Sequence, residues 1–355
     1  MLAKRGPRSE GGGCLRRMGS AILKIVTLVI VITVTASLAG TRASAGLREK
    51  HPPIGELIDI GGYRLHLYCQ GPEDSAGSPV VVMEATVGTP GLIWSLVQPE
   101  VAKSARACVY DRAGLGWSDP SPRSRSTDVM VAELHTLLDR AGIPGPYVLV
   151  GNSAAGWLIR YYAHTYPEDL AGMVLVDSAH EEQFQRIPGE VSPLVQRAFD
   201  LFPVLFKSRI PAHFPSLIPV YGKDQLPEPA MASYQALMAA EIKFSETMSA
   251  EISAVQENLS QVRAARITSL GDIPLVVLTH DRLDAIPGVT TSSEASRQVE
   301  QAWLELQSEL AALSPNGRLV VAKGSGHNIQ FERPDLVIAA ILEVLAEAKA
   351  KAGGE

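Results

Sequence analysis

At 355 residues and 46% hydrophobic side chains, the chain is long enough to bury one large core or two ordinary ones. A formal net charge of −6, with no long basic run beyond residue 24, argues against nucleic acid as a partner and leaves a small-molecule substrate. The three cysteines, Cys14, Cys69 and Cys108, form neither a CxxC pair nor a zinc-spaced cluster, so no metal site and no cofactor are expected.

Residues 1 to 24 carry Lys4, Arg5, Arg8, Arg16, Arg17 and Lys24 against a single acid, Glu10, and the uncharged run IVTLVIVITVTASLAG follows at 25 to 40. Positive charge ahead of an apolar run is the layout of an export signal. From Ala21 to Gly40 the stretch also approaches the ~20 residues that span a bilayer, while ASA at Ala43 to Ala45 offers small residues to a signal peptidase. Residues 1–45 therefore read as a cleaved signal or a retained membrane anchor. Both readings put the rest of the chain outside the cytoplasm, either membrane-anchored or secreted or periplasmic. An oxidising compartment would permit a Cys69–Cys108 bridge. The two cysteines are nevertheless expected as buried free thiols, because their strands are read as parallel neighbours, where bridging geometry is demanding.

From about residue 50 short β-branched runs alternate with helical periods. ELIDI and YRLHLYC flank Gly61 and Gly62 as a hairpin, and the further strands are VVVMEA, ACVYD, YVLVG, MVLVD, IPLVVLT and GRLVVAKG. Apolar spacing of three and four predicts helices over 128–142, 154–167, 293–313 and 334–350. This is the βαβ grammar of a mostly parallel sheet with helices on both faces. Residues 178–270 interrupt it with proline-rich pieces and a long helical stretch from Glu228, which reads as a helical cap inserted between core segments 50–177 and 271–350. Phe214, Tyr221, Met231 and Met238 are expected to pack that cap.

The chemistry centres on YVLVGNSAAGW, where Ser153 stands between a strand and a helix. On a strained strand-to-helix turn the residues two before and two after the serine must be small, and Gly151 and Ala155 are. A serine hydroxyl needs a base. Of eight histidines, His66 lies in a strand and His135 and His164 on helices, whereas His327 in KGSGHNIQFERP falls in a glycine-rich loop beyond the last strand. Loops at strand C-termini are where α/β sheets build their sites. Two carboxylates compete to orient that imidazole: Asp177, ending the strand after the serine's helix, and Asp284 in THDRLDAIPG, with Asp281 beside it. Asp111 and Arg112 in YDRAGLGWSD read as structural, fixing a loop rim; Trp94 and Trp117 read as core.

Taken together, MEATVG, YDRAGLGWSDPS, GNSAAG and GSGHNIQFERP resemble, in that order, the motifs of the α/β-hydrolase superfamily over residues 56 to 348. The resemblance implies an α/β-hydrolase fold with an eight-stranded sheet and a Ser153, acid, His327 triad. It favours Asp177 over Asp284, since the later position lacks the usual Gly-x-x-Asp turn. Superfamily dehalogenases and epoxide hydrolases carry aspartate where Ser153 stands, so those chemistries are not expected. It further implies oxyanion donors at the backbone N–H of Ala154 and of Thr86, with Val87 as neighbour. The expected activity is hydrolysis of a hydrophobic ester through an acyl-enzyme. Amide or peptide cleavage, carbon–carbon bond hydrolysis, perhydrolysis and a non-catalytic ligand-binding role remain as alternatives.

Overall fold

The computed structural model describes residues 27, 31, 35, 39–72, 78–187, 210–218, 220–222, 224–282 and 293–353. Asp284 and most of residues 1–38 lie outside them. Among the described residues no helix is long and apolar enough to cross a membrane.

Eight strands form one sheet in the order β1-β2-β4-β3-β5-β6-β7-β8. They are β1 (Glu56–Asp59), β2 (Arg64–Gln70), β3 (Val80–Glu84), β4 (Ala107–Tyr110), β5 (Tyr147–Asn152), β6 (Leu170–Val176), β7 (Leu275–His280) and β8 (Gly317–Ala322). From β4 to β8 every pairing is parallel. Side chains alternate between the sheet's faces. Val81, Met83, Val148, Val150, Val174 and Val176 share one apolar cluster with Val337, Ile341 and Val344 of the C-terminal helix Pro334–Gly353. Val80, Val82, Leu149, Met173 and Leu175 share the other with the helices Thr127–Arg140 and Ala155–Thr165. Each fully buried Val or Leu contributes roughly 1.5–3 kcal/mol, so the double-faced sheet dominates stability.

The cysteines depart from expectation. β2 runs antiparallel to both β1 and β4, and Cys69 lies directly opposite Cys108 in a disulfide, with Cα atoms 4.0 Å apart. The few residues between Gln70 and Val80 leave no room for the crossover helix that a parallel β2 would require. Facing positions of an antiparallel pair project to the same side, which brings the two sulfurs together. Cross-linking positions 39 apart in sequence restrains the unfolded chain, a contribution of about 3–4 kcal/mol in the chain-entropy account.

Between β6 and β7 the long helical stretch is three helices, Glu228–Ala240, Ile242–Ser253 and Val255–Ala265. Glu241 breaks the first junction with extended backbone (φ −109°, ψ 108°), and the left-handed Arg266 ends the last helix. Met238 is buried and Met231 half-buried against the core, while Tyr221 packs edge-on against Phe331. Phe214, expected to pack the cap, is 57% exposed.

Residues 39–50 form a helix laid against this cap. Ser44 is 1% exposed, Leu47 packs on the core, Arg48 pairs with Glu241, and His51 Nδ1 lies 3.1 Å from Ser233 Oγ. The Trp117 indole N–H donates to the His51 carbonyl at 2.9 Å, tying the segment's end to the core.

Candidate active site

The C-terminal ends of β3, β5, β6, β7 and β8 lie along one edge of the sheet, and the candidate residues follow those ends. Ser153, immediately after β5, has φ 52°, a left-handed conformation that a non-glycine residue keeps only when its surroundings enforce it. They do so here. Ser153 N–H donates to Val176 O at 3.0 Å, and its carbonyl accepts from Gly156 N–H and Ala179 N–H at 3.0 and 2.9 Å. The elbow helix Ala155–Thr165 starts so close to β6 that a Cβ on Gly156 would sit 1.3 Å from Ser178 Oγ. A Cβ on Gly151 would meet the Ala155 backbone at 3.0 Å, so strand and helix are nearly in contact. Ala155 itself is wholly buried. Its methyl is accommodated where glycine is usual.

His327 Nε2 lies 3.0 Å from Ser153 Oγ, and His327 Nδ1 lies 2.6 Å from Asp177 Oδ2. Ser153, His327 and Asp177 are thus brought together, although 174 residues separate the serine from the histidine. Asp177 is fully buried, with φ 45°. Its Oδ1 accepts from Thr279 Oγ1 (3.3 Å), His280 N–H (3.1 Å) and the Trp303 indole N–H (2.9 Å), and a second imidazole, His280 Nδ1, approaches Oδ2 at 2.8 Å. Burial alone would push this carboxyl up, but the hydrogen bonds from His280 and His327 outweigh it and hold Asp177 well below the usual carboxylate range. Asp281, beside the alternative acid, turns its carboxylate to Gly324 N–H at 2.9 Å.

Asp177, His280 and His327 could in principle close on one metal ion. Their separations of 2.6 and 2.8 Å are those of N–H···O bonds with a proton between.

Across from the elbow, the loop after β3 is held by Arg112. Its guanidinium donates to the carbonyls of Ala85 and Thr86, pairs with Glu84, and grips Glu251 of the cap helix Ile242–Ser253 with two bonds of 2.8 Å. Glu251 also accepts from Gly88 N–H at 2.8 Å. With these carbonyls turned to Arg112, the amides of Thr86 and Val87 face the other way, and among the described residues neither they nor the Ala154 amide carry an internal hydrogen bond. Glu84, Arg112 and Glu251 are all buried, with Arg112 the most exposed of them at 3%. Burial pushes Glu84 up, whereas at Glu251 the Arg112 charge outweighs burial and holds the carboxyl low. Asp111 is structural, accepting from Gly91 N–H and Trp117 N–H, and Trp94 and Trp117 are core.

Four contributors were not singled out in the sequence: Thr279 and His280 at the end of β7, Trp303 and Glu251. A histidine closing a strand in LTH was the one legible signal. Trp303 and Glu251 sit on helices whose contacts with the site arise only from packing.

The model of the family described as "Alpha/beta hydrolase family" matches residues 86–340. A Hormonema carpetanum protein described as "Probable transporter efuK" is 29% identical over 317 residues, 83% of this chain but 43% of that protein's length. The 2-hydroxymuconate semialdehyde hydrolase of Pseudomonas sp. CF600 is 34% identical over 136 residues, 37% of this chain and 46% of its own. A solved esterase from Thermogutta terrifontis, 20% identical, superposes with TM-score 0.55 over 82% of this chain and 98% of its own, a likeness of fold. With its eight-stranded, mostly parallel sheet and a family match spanning most of its length, the chain belongs to the alpha/beta hydrolase family.

Proposed function

We propose that the protein is a serine hydrolase that cleaves a hydrophobic ester through an acyl-enzyme. The observation that carries this reading is the hydrogen-bonded chain from Ser153 Oγ through the His327 ring to Asp177 Oδ2, at 3.0 and 2.6 Å. Ser153 Oγ attacks the acyl carbonyl as its proton passes to His327 Nε2. Asp177 holds the ring with its proton on Nδ1 and stabilises the imidazolium. The developing oxyanion rests on the amides of Ala154 and of Thr86 or Val87. His327 then protonates the leaving alcohol, and water, activated by the same imidazole, releases the acid. Met248 of the cap, packed against Gly88 in the loop after β3, supports an apolar substrate.

A fluorophosphonate probe should label the wild-type protein and fail on Ser153→Ala, and a p-nitrophenyl ester series of rising acyl length should show turnover that depends on Ser153. Equal labelling of both proteins would refute the reading. Carbon–carbon bond hydrolysis is the second reading, favoured by the Pseudomonas relative; faster cleavage of 2-hydroxymuconate semialdehyde than of any ester would select it.

The elbow supplies a further test. Gly156→Ala should push the helix from Ser178 and misplace Ser153, lowering kcat by about 100-fold, the usual cost of ~1 Å at a reacting atom. Adding Ser178→Gly should recover most of the loss. Kinetics of the single and double variants measure it.

The domain is placed outside the cytoplasm in this reading, supported by the basic and apolar N-terminal pattern together with the Cys69–Cys108 disulfide. Because Ser44 is buried and Arg48 and His51 engage the cap, packing favours retention of residues 39–50 over cleavage after Ala45.

A further inference from the structure

We infer that His280 is a positioning residue for the base: it locks the Asp177 carboxylate and shares the oxygen that His327 uses, so that His327 stays unprotonated to lower pH. This rests on the reading of His327 as the general base.

The geometry begins with the end of β7. His280 reaches both oxygens of Asp177, its backbone N–H going to Oδ1 at 3.1 Å and its ring Nδ1 to Oδ2 at 2.8 Å. One residue bridging both oxygens fixes the rotation of the carboxylate about its own axis. Trp303 fixes the residue in turn. Its indole donates to Oδ1, its ring stacks on His280 with centroids 5.8 Å apart at 29°, and its edge meets His327 at 6.2 Å and 79°. The His280 side chain is only 9% exposed, against 35% for His327, so solvent competes little for its hydrogen bond.

Two donors on one oxygen divide its charge. An imidazolium at His327 is stabilised by the negative charge facing Nδ1, and a hydrogen bond from His280 to that oxygen draws some of it away. Removing the His280 ring must therefore raise the pKa of His327. A purely structural role predicts the opposite, because a loosened Asp177 would lose its hold on His327 and lower that pKa. Other charged groups on the neighbouring elements have partners of their own. Asp281 accepts from Gly324 N–H, Glu332 accepts from Gly326 N–H and pairs with Arg282, and Glu305 and Glu309 of the Ser293–Ala311 helix pair with Arg186. They are unchanged in the variants below.

The test is an NMR titration of the His327 imidazole in the full chain, in wild type, His280→Phe and His280→Asn, with the acid limb of kcat/KM for ester hydrolysis measured alongside. Phenylalanine keeps the stacking on Trp303 and removes the donor; asparagine places an N–H where Nδ1 was. In His280→Phe the His327 midpoint should rise by about one pH unit, and the acid limb should follow it. In His280→Asn both should stay within about 0.3 unit of wild type. A midpoint in His280→Phe that is unchanged or lower overturns the inference. The titration needs no turnover, so a protein whose Ser153 proved unreactive would refute the proposed function while leaving the role of His280 to be decided by the NMR shift.

Discussion

Asp177→Asn is expected to lower kcat by about 10⁴-fold, the scale seen when a triad aspartate becomes an amide. The carboxylate only accepts, and both imidazoles direct Nδ1 at its Oδ2. An asparagine whose oxygen keeps the Thr279, His280 and Trp303 donors must present NH₂ to His327. The ring then carries its proton on Nε2, where it can no longer accept the Ser153 proton. Steady-state kinetics on a p-nitrophenyl ester measure the loss. Near wild-type turnover in Asp177→Asn, with Asp284→Asn inactive, would transfer the acid's role to Asp284.

The same carboxylate ties stability to pH. Its pKa is depressed on folding from the ordinary 3.8, so the unfolded chain binds the proton more readily. Its stabilisation is complete above that value and is lost progressively as pH falls below it.

Arg112→Met is expected to destabilise the fold by about 3–5 kcal/mol, because it strips buried Glu84 of its cation and leaves buried Glu251 only the more distant Arg125, at 3.9 Å. The thermal midpoint and a denaturant titration read this directly. Arg112→Lys should recover little. A lysine ammonium can neither grip both oxygens of Glu251 nor reach the two loop carbonyls at the same time. The surviving folded fraction should also lose activity, since the loop carrying the Thr86 and Val87 amides hangs from that guanidinium. A stability change below 1 kcal/mol would show that the network is dispensable.

Much of the molecule was legible before folding. The run of β-branched strands and amphipathic helices specified a mostly parallel sheet covered on both faces, because period and hydrophobicity alone decide which side of an element is buried. Small residues flanking Ser153, and a glycine-rich loop around His327 past the last strand, marked the two side chains that the fold brings within 3.0 Å of each other. The direction of β2 is not legible from its own run YRLHLYC, because the short connection to β3 fixes strand sense only once β2 is known to pair with β4. With it went the pairing of Cys69 and Cys108.

What the sequence by itself determined is the layer architecture and the candidacy of Ser153 and His327, features encoded in local pattern and backbone demand. Only the tertiary structure decided which carboxylate faces His327, that His280 and Trp303 crowd the same acid, and that Arg112 suspends the loop after β3 from the cap. These depend on side chains more than 100 residues apart meeting at one sheet edge. Such meetings follow from strand order and helix packing, and no local periodicity records them.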